Sequence, residues 1–176
     1  CAVERRDGPS ALALSRQNLP RLTDVAMVGN IRKGGYVLAE QPNPQAVIVA
    51  TGSETSLAMA AHQALSALGI ATRVVSMPCT NVFDRQSEAY QEMIVPLALP
   101  TVAVEAAQPD FWRKYVGRSG VVVGIASFGE SAPAGDLYKH FGITPERVVE
   151  AVRTLVHRAA HRGEQPLPEH IVPGTH

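Results

Sequence analysis

The sequence predicts an α/β domain of three layers, in which helices cover both faces of a sheet. Short runs rich in valine alternate along the chain with stretches of helical apolar spacing, which is typical of such folds. The run Ala46–Ala50 (AVIVA) is apolar at every position, as expected for a strand buried on both faces. A helical stretch and a second apolar run, Ala71–Met77, follow directly. We therefore expect a right-handed β-α-β unit at the centre of the sheet.

The helix of this unit is predicted from its apolar spacing and its end signals. Ser53 is the expected N-cap, Glu54 suits the positive end of the helix, and Gly69 is the expected stop. The apolar stripe is formed by Leu57, Ala61, Ala64, Leu65 and Leu68. The turn TGSET matches neither GxGxxG nor GxxxxGK[ST], so we interpret it as a capped turn and not as a phosphate loop.

The other elements follow in order along the chain. Further strands are predicted at Ser10–Leu14, Tyr36–Glu40, Thr101–Glu105 and Val121–Ile125. A helix is expected to begin with Ser131 as its cap and Pro133 near its first turn, and to end at Phe141-Gly142. The last helix begins at Thr144-Pro145, and its apolar stripe consists of Val148, Val149, Val152, Leu155 and Val156. From Gly163 the chain is rich in Pro, His and Glu, and a loose tail is expected.

Composition limits the classes of function. Lys and Arg total 16, and Asp and Glu also total 16, so there is no basic excess for binding nucleic acid. No apolar run has the length of a membrane span, and no signal peptide is recognised at the amino end. Two cysteines, Cys1 and Cys79, cannot build a disulfide framework and do not fix the compartment by themselves. Because no signal peptide is recognised, a reducing cytoplasm is the expected location. The start, CAVERRDGPS, suggests a piece of a longer protein.

Arg16 is the one candidate ligand residue. It lies in a polar loop, residues 15–20, directly after the predicted strand Ser10–Leu14. Open α/β sheets bind ligands beyond the carboxyl ends of their strands. A guanidinium offers a planar set of donors that fits a phosphate. The alternative is a structural salt bridge with Asp7 or Glu4.

Other chemistry-bearing residues are given structural interpretations. His157 and His161 have the spacing of a zinc pair, but Arg158 replaces the glutamate of HExxH, so a solvated face is expected. Glu105 ends a strand and is a weak candidate for a general base, because no partner carboxylate is evident. Cys79 is expected to be a small buried apolar residue. The lone histidines His62 and His140 have no evident partner, and the aromatic segment 110–115 is expected to form a core edge or a subunit interface.

A set of ordered phrases resembles the C-terminal portion of the transketolase family, the bacterial type in particular, over residues 3 to about 156. These phrases are LSRQNLP at 14–20, GGYVL at 34–38, IVATGSE at 48–54, RVVSMPC at 73–79, AVEA at 103–106, KYVG at 114–117 and FGESAPA at 128–134. The combination of SRQNLP and FGESAPA is the most specific part of this resemblance.

The resemblance implies a thiamine-diphosphate-dependent homodimeric transferase, with Mg²⁺ or Ca²⁺, that moves a two-carbon ketol unit between sugar phosphates. Residues 1–20 would end the middle domain, 21–33 would be a linker, 34–160 the C-terminal domain and 161–176 a tail. The family sheet is mostly parallel, and we assign its antiparallel strand to Tyr36–Glu40. The family's arginine of SRQNL contacts the substrate phosphate, which assigns that role to Arg16.

The family's catalytic, cofactor and metal residues precede this segment, so no such residue is expected here and the chain alone is predicted to be inactive. Two alternatives remain: another thiamine enzyme, such as a dihydroxyacetone or deoxyxylulose phosphate synthase, and a non-catalytic binding or dimerisation module. The reading frame upstream of Cys1 would distinguish them.

Overall fold

The structure is a computed structural model that describes residues 2–23 and 27–162. The segment for which a loose tail is predicted, from Gly163 onward, lies outside the described residues. None of the helices in the described ranges combines the length and the apolar character that crossing a bilayer requires.

Five strands of the described residues form one mixed sheet, as the family resemblance implies. They are β1 (Tyr36–Glu40), β2 (Ala46–Ala50), β3 (Thr72–Ser76), β4 (Thr101–Val104) and β5 (Val121–Val123). Their order is β1-β3-β2-β4-β5. Strands β3, β2, β4 and β5 are parallel to one another, and β1 pairs antiparallel with β3. The assignment of the antiparallel strand to Tyr36–Glu40 is therefore confirmed.

In the described ranges, seven helices connect and cover the strands. They are α1 (Val28–Ile31), α2 (Thr55–Ala67), α3 (Thr80–Phe83), α4 (Glu88–Ile94), α5 (Arg113–Val116), α6 (Ala134–Phe141) and α7 (Pro145–Arg162). Short 3-10 turns at Gly52–Glu54 and Pro109–Trp112 precede α2 and α5. The aromatic segment 110–115 is thus helical throughout, in a 3-10 turn followed by α5.

The sheet is buried on both faces because β2 alternates its side chains between two cores. Ala46, Ile48 and Ala50 belong to the core on the side of α2 and α7, where Val148 and Val152 of α7 are fully buried. The opposite core lies under α3, α4 and α5 and contains Val47, Val49, Val75, Phe83, Ile94 and Trp112. These two cores produce the predicted three layers.

The start and the buried face of α2 differ from the prediction. Ser53 is not the N-cap: the helix begins at Thr55, and the Ser53 hydroxyl donates to Oε1 of Glu54 at 3.1 Å. The carbonyl of Ser53 accepts from the hydroxyl of Ser56 at 2.8 Å. The buried residues of the helix are Thr55, Ala58, Ala61, His62 and Leu65, whereas Ala64 and Leu68 are exposed. The helix thus begins at Thr55, after the 3-10 turn Gly52–Glu54, and its buried face includes His62.

The predicted strand Ser10–Leu14 is absent. These residues adopt no regular structure, and Leu12 and Leu14 are exposed to 74% and 82%. A strand needs a neighbour that satisfies its backbone groups, and no strand in the described part of the chain pairs with this segment.

The last two helices follow their end signals in part. α6 begins at Ala134 with Pro133 as its N-cap, so the predicted cap at Ser131 is wrong. Its end at Gly142 is confirmed, since Gly142 adopts a left-handed conformation with φ of 69°. α7 begins at Pro145 as predicted, and the hydroxyl of Thr144 accepts from the backbone N–H of Arg147 at 3.3 Å.

Candidate functional site

The topology places the ligand edge of the sheet between β2 and β4. The chain leaves β2 through α2 toward β3 on one side, and it leaves β4 toward β5 on the other. In open α/β sheets ligands bind where such connections diverge, beyond the carboxyl ends of the strands. Two carboxylates follow these strands, Glu54 after β2 and Glu105 after β4.

Glu54 is the centre of a hydrogen-bonded network that reaches the loop of Arg16. It is 5% exposed, and its Oε1 accepts from the phenol of Tyr138 in α6 at 2.6 Å and from the hydroxyl of Ser53. The phenol oxygen of Tyr138 in turn accepts from the side-chain amide Nε2 of Gln17 at 3.4 Å. Burial raises the pKa of Tyr138 and the nearby Glu54 carboxylate adds to the effect, so the phenol is protonated at neutral pH.

Glu105 lies at the same edge with a different partner. Its carboxylate accepts a hydrogen bond from the indole Nε1 of Trp112, which is buried. Burial raises the pKa of Glu105, the charge of Glu54 raises it further, and the indole bond opposes both. A carboxyl group with a raised pKa matches what a general base needs, but its bond to Trp112 also gives it a structural role.

Arg16 lies in an exposed bend of the chain, beside Gln17. Within the described residues it has no hydrogen bond or ion pair. The salt bridge considered as its alternative role is not formed, since Asp7 pairs with Arg5 at 3.1 Å and Glu4 pairs with Arg32 at 3.1 Å. Its guanidinium is therefore available to an external anion.

Cys79 and the four histidines that the sequence singles out lie in several parts of the fold. His157 and His161 lie on an exposed face of α7, as predicted, with their Nε2 atoms 3.0 Å apart. Within the described residues, no three His, Cys, Asp or Glu side chains are grouped so that they could hold a metal ion. Cys79 is exposed, so its predicted burial is wrong; it lies in a loop between β3 and α3. His62 is 9% exposed and hydrogen-bonded to Thr72, and His140 is exposed and meets the ring of Phe141 edge to face.

Sequence reasoning missed Tyr138 and Gln17 as parts of the site. Gln17 is 121 residues away from Tyr138, and Tyr138 is 84 residues away from Glu54. Gln17 lies in the phrase SRQNLP, and its position next to Arg16 was the one available signal.

Comparison with known proteins identifies the class of domain. The family model described as "Transketolase-like TK C-terminal domain" matches residues 34–144. Transketolase 1 of Vibrio cholerae is 52% identical over 160 residues, which cover 88% of this chain and 24% of that protein.

Solved structures show the same relationship. A Pichia stipitis transketolase in complex with sedoheptulose 7-phosphate has a TM-score of 0.73 and 39% identity, over 84% of this chain and 21% of that chain. A split-gene transketolase described as an inactive β4 tetramer has a TM-score of 0.61 and 27% identity, over 81% of this chain and 48% of that chain.

The fold and these matches define an α/β domain of the transketolase type. The chain belongs to the family of transketolase-like C-terminal domains and corresponds to the C-terminal portion of transketolases. It spans about a quarter of the length of the curated relatives that it matches.

Proposed function

We propose that this chain is the C-terminal portion of a thiamine-diphosphate-dependent transketolase, which transfers a two-carbon ketol unit between sugar phosphates in the pentose phosphate pathway. The observation that carries the proposal is the 52% identity to a transketolase over 88% of the chain. Another thiamine enzyme is disfavoured because the curated relatives at about this identity are named transketolases. As part of such an enzyme, the chain would act in the cytoplasm within one subunit of a homodimer.

The proposed division of the chain follows from the same relationship. Residues 1–20 would complete the middle domain, 21–33 would link it to the C-terminal domain at 34–160, and 161–176 would be a tail. The exposed leucines at 12 and 14 support this division. In the complete enzyme, a neighbouring sheet would cover these side chains and let Ser10–Leu14 pair as the strand that the sequence predicts.

In this proposal, Arg16 binds the phosphate of the sugar substrate. Its support is the unpaired guanidinium beside the ligand edge of the sheet. A charge-assisted hydrogen bond contributes about 1.5–3 kcal/mol, which corresponds to roughly 10- to 150-fold in an equilibrium constant. Because a phosphate contact lies far from the reacting carbons, the loss should appear in KM more than in kcat.

The test of this role is Arg16→Gln in the complete transketolase polypeptide. KM for a phosphorylated ketose donor should rise by roughly 10- to 150-fold, and KM for the unphosphorylated analogue should stay near the parent value. Arg118→Gln is the matched control, since Arg118 is also an exposed arginine but lies at the amino ends of β4 and β5. Equal losses for both donors would show that Arg16 supports the fold and not the phosphate.

Thiamine diphosphate and its divalent ion would be held by segments outside this chain. The described residues offer no group of three metal-ligating side chains, so they do not fit the metal, and we derive no step of the reaction through the cofactor. The related split-gene protein, described as an inactive tetramer, supports the proposal that this chain is inactive by itself.

Calorimetry tests this inactivity directly. The 176-residue chain is titrated with thiamine diphosphate and Mg²⁺ and assayed for ketol transfer. No saturable heat and no activity above background are expected. Saturable micromolar binding of the cofactor would instead assign the missing ligands to this chain.

A further inference from the structure

We propose that Glu54, Tyr138 and Gln17 form a tether by which the C-terminal domain positions the Arg16 loop, residues 15–18, and thereby sets the affinity for the substrate phosphate. The three are positioning residues, since none of them is proposed to touch the substrate. The inference rests on the proposed function of Arg16 for its kinetic consequence, whereas the tether itself is a structural claim.

The inner end of the tether is rigid. Glu54 follows the fully buried strand β2 and is itself 5% exposed, so the sheet and the first turn of α2 fix its backbone. Its Oε1 holds two donors, the hydroxyl of Ser53 at 3.1 Å and the phenol of Tyr138 at 2.6 Å. Tyr138 is partly buried in α6 and also packs against the core that α2 and α7 cover.

Both hydrogen bonds of the tether donate in the same direction, from Gln17 toward Glu54. The amide of Gln17 donates to the phenol oxygen, and the phenol donates its single proton to the carboxylate. Each group is used in the sense that its chemistry allows, because a phenol both accepts and donates, and an ionised carboxylate only accepts. Bonds to an ionised acceptor are stronger than neutral ones, so the carboxylate anchors the series.

The outer end of the tether controls one exposed loop. Arg16 and Gln17 are neighbours in the chain, and both are exposed. Gln17 is bonded to the domain, whereas Arg16 has no hydrogen bond or ion pair within the described residues. A loop held at Gln17 keeps the guanidinium of Arg16 near one position, and a preformed contact spares the substrate the entropy of ordering that loop.

The experiment combines hydrogen exchange with kinetics on the complete transketolase polypeptide. In Tyr138→Phe and in Gln17→Ala, amides of the Arg16 loop should exchange faster, and KM for a phosphorylated donor should rise by about two- to twelvefold. KM for the unphosphorylated analogue should not change. The double variant should lose no more than the larger single loss, because both changes break one series of bonds.

Tyr90→Phe is the matched control. Tyr90 is also a partly buried tyrosine whose phenol makes one bond, to the carbonyl of Gly35 at 2.9 Å, but it lies on the other face of the sheet. This variant should leave both the loop exchange and the two KM values unchanged.

If Tyr138→Phe unfolds the domain, Gln17→Ala still tests the proposal. The Gln17 side chain is exposed, so its removal should leave the domain folded. Unchanged loop exchange in Gln17→Ala would overturn the tether. So would equal rises in KM for both donors. If the loop exchange rises as expected while Arg16→Gln shows no preference for the phosphorylated donor, the tether stands and the proposed role of Arg16 fails.

Discussion

Nδ1 of His62 lies 2.7 Å from Oγ1 of Thr72, and this bond joins helix α2 to strand β3 inside the core. Thr72 is fully buried and His62 is 9% exposed. Two polar side chains thus satisfy each other beneath the helix, where an unpaired group would be costly.

The stability of the domain should depend on pH through His62. Burial lowers the pKa of His62 below its ordinary value near 6.5, so in mild acid the unfolded chain binds a proton that the folded chain resists. The contribution to stability is present above pH of about 6.5 and is lost as the pH falls toward the depressed folded pKa. The thermal midpoint should therefore fall between pH 7.5 and pH 5.5, and His62→Gln should show a weaker fall. His140→Gln, a change of an exposed histidine, should follow the parent curve. Identical curves for all three proteins would contradict the assignment.

The contribution of Glu105 to stability should depend on pH in the opposite direction. Its pKa is raised chiefly by burial and further by Glu54, so the folded state holds the proton more tightly. The contribution to stability is present below the ordinary pKa of a glutamate and is lost as the pH rises through the raised folded pKa. Glu105→Gln keeps an acceptor for the indole of Trp112 without the charge. We expect a higher thermal midpoint than the parent at pH 7.5 and a smaller difference at pH 4.5. The control is Glu150→Gln, which breaks an exposed ion pair with Arg147 and should change little. A thermal midpoint of Glu105→Gln below that of the parent at both pH values would contradict this prediction.

Ile48 should be a principal contributor to the free energy of unfolding. Its side chain is fully buried in the central strand, and truncation of such a residue to Ala costs about 2–5 kcal/mol. Ile48→Ala should therefore unfold at a clearly lower urea concentration. Gln63→Ala changes an exposed position on α2 and should have a small effect. Similar small shifts in both variants would mean that the assigned core is wrong.

Gly34 should tolerate no side chain. It has a φ of +82°, and an added Cβ would lie 2.5 Å from the backbone nitrogen of Phe83 and still closer to the carbonyl oxygen of Cys79. Gly69 has a similar φ of +74°, but no atom within 4 Å of an added Cβ. Gly69→Ala should cost about 1–2 kcal/mol from the backbone alone. Gly34→Ala should lower the free energy of unfolding by more than this. Equal denaturation midpoints for the two variants would show that the backbone near Phe83 and Cys79 moves aside without a cost in stability.

Much of the sheet follows from local sequence. A run such as AVIVA is apolar at each of five positions, and only a strand that is covered on both faces buries all of them. Strands β1 and β2 match their predicted bounds at both ends, and β3, β4 and β5 differ by one or two residues at their termini. The end of α6 at Gly142 and the start of α7 at Pro145 could also be predicted from sequence, because each depends on the backbone preference of one or two residues.

The errors arise where a distant neighbour decides the outcome. Ser10–Leu14 has the composition of a strand, but strand formation needs a paired partner that the described residues do not supply. Leu68 is an error of another kind, with a local cause: it has the spacing of the core stripe, but α2 ends at Ala67, so Leu68 is the C-cap and is 56% exposed.

The sequence by itself determined the class of fold, the central β-α-β unit and the candidate role of Arg16, because these depend on short apolar runs, helix-end signals and one characteristic phrase. Only the tertiary structure brought Gln17, Tyr138 and Glu54 into one hydrogen-bonded series. Separations of 84 and 121 residues leave no local pattern, because bonds of this kind form only after the sheet, α2 and α6 have packed together.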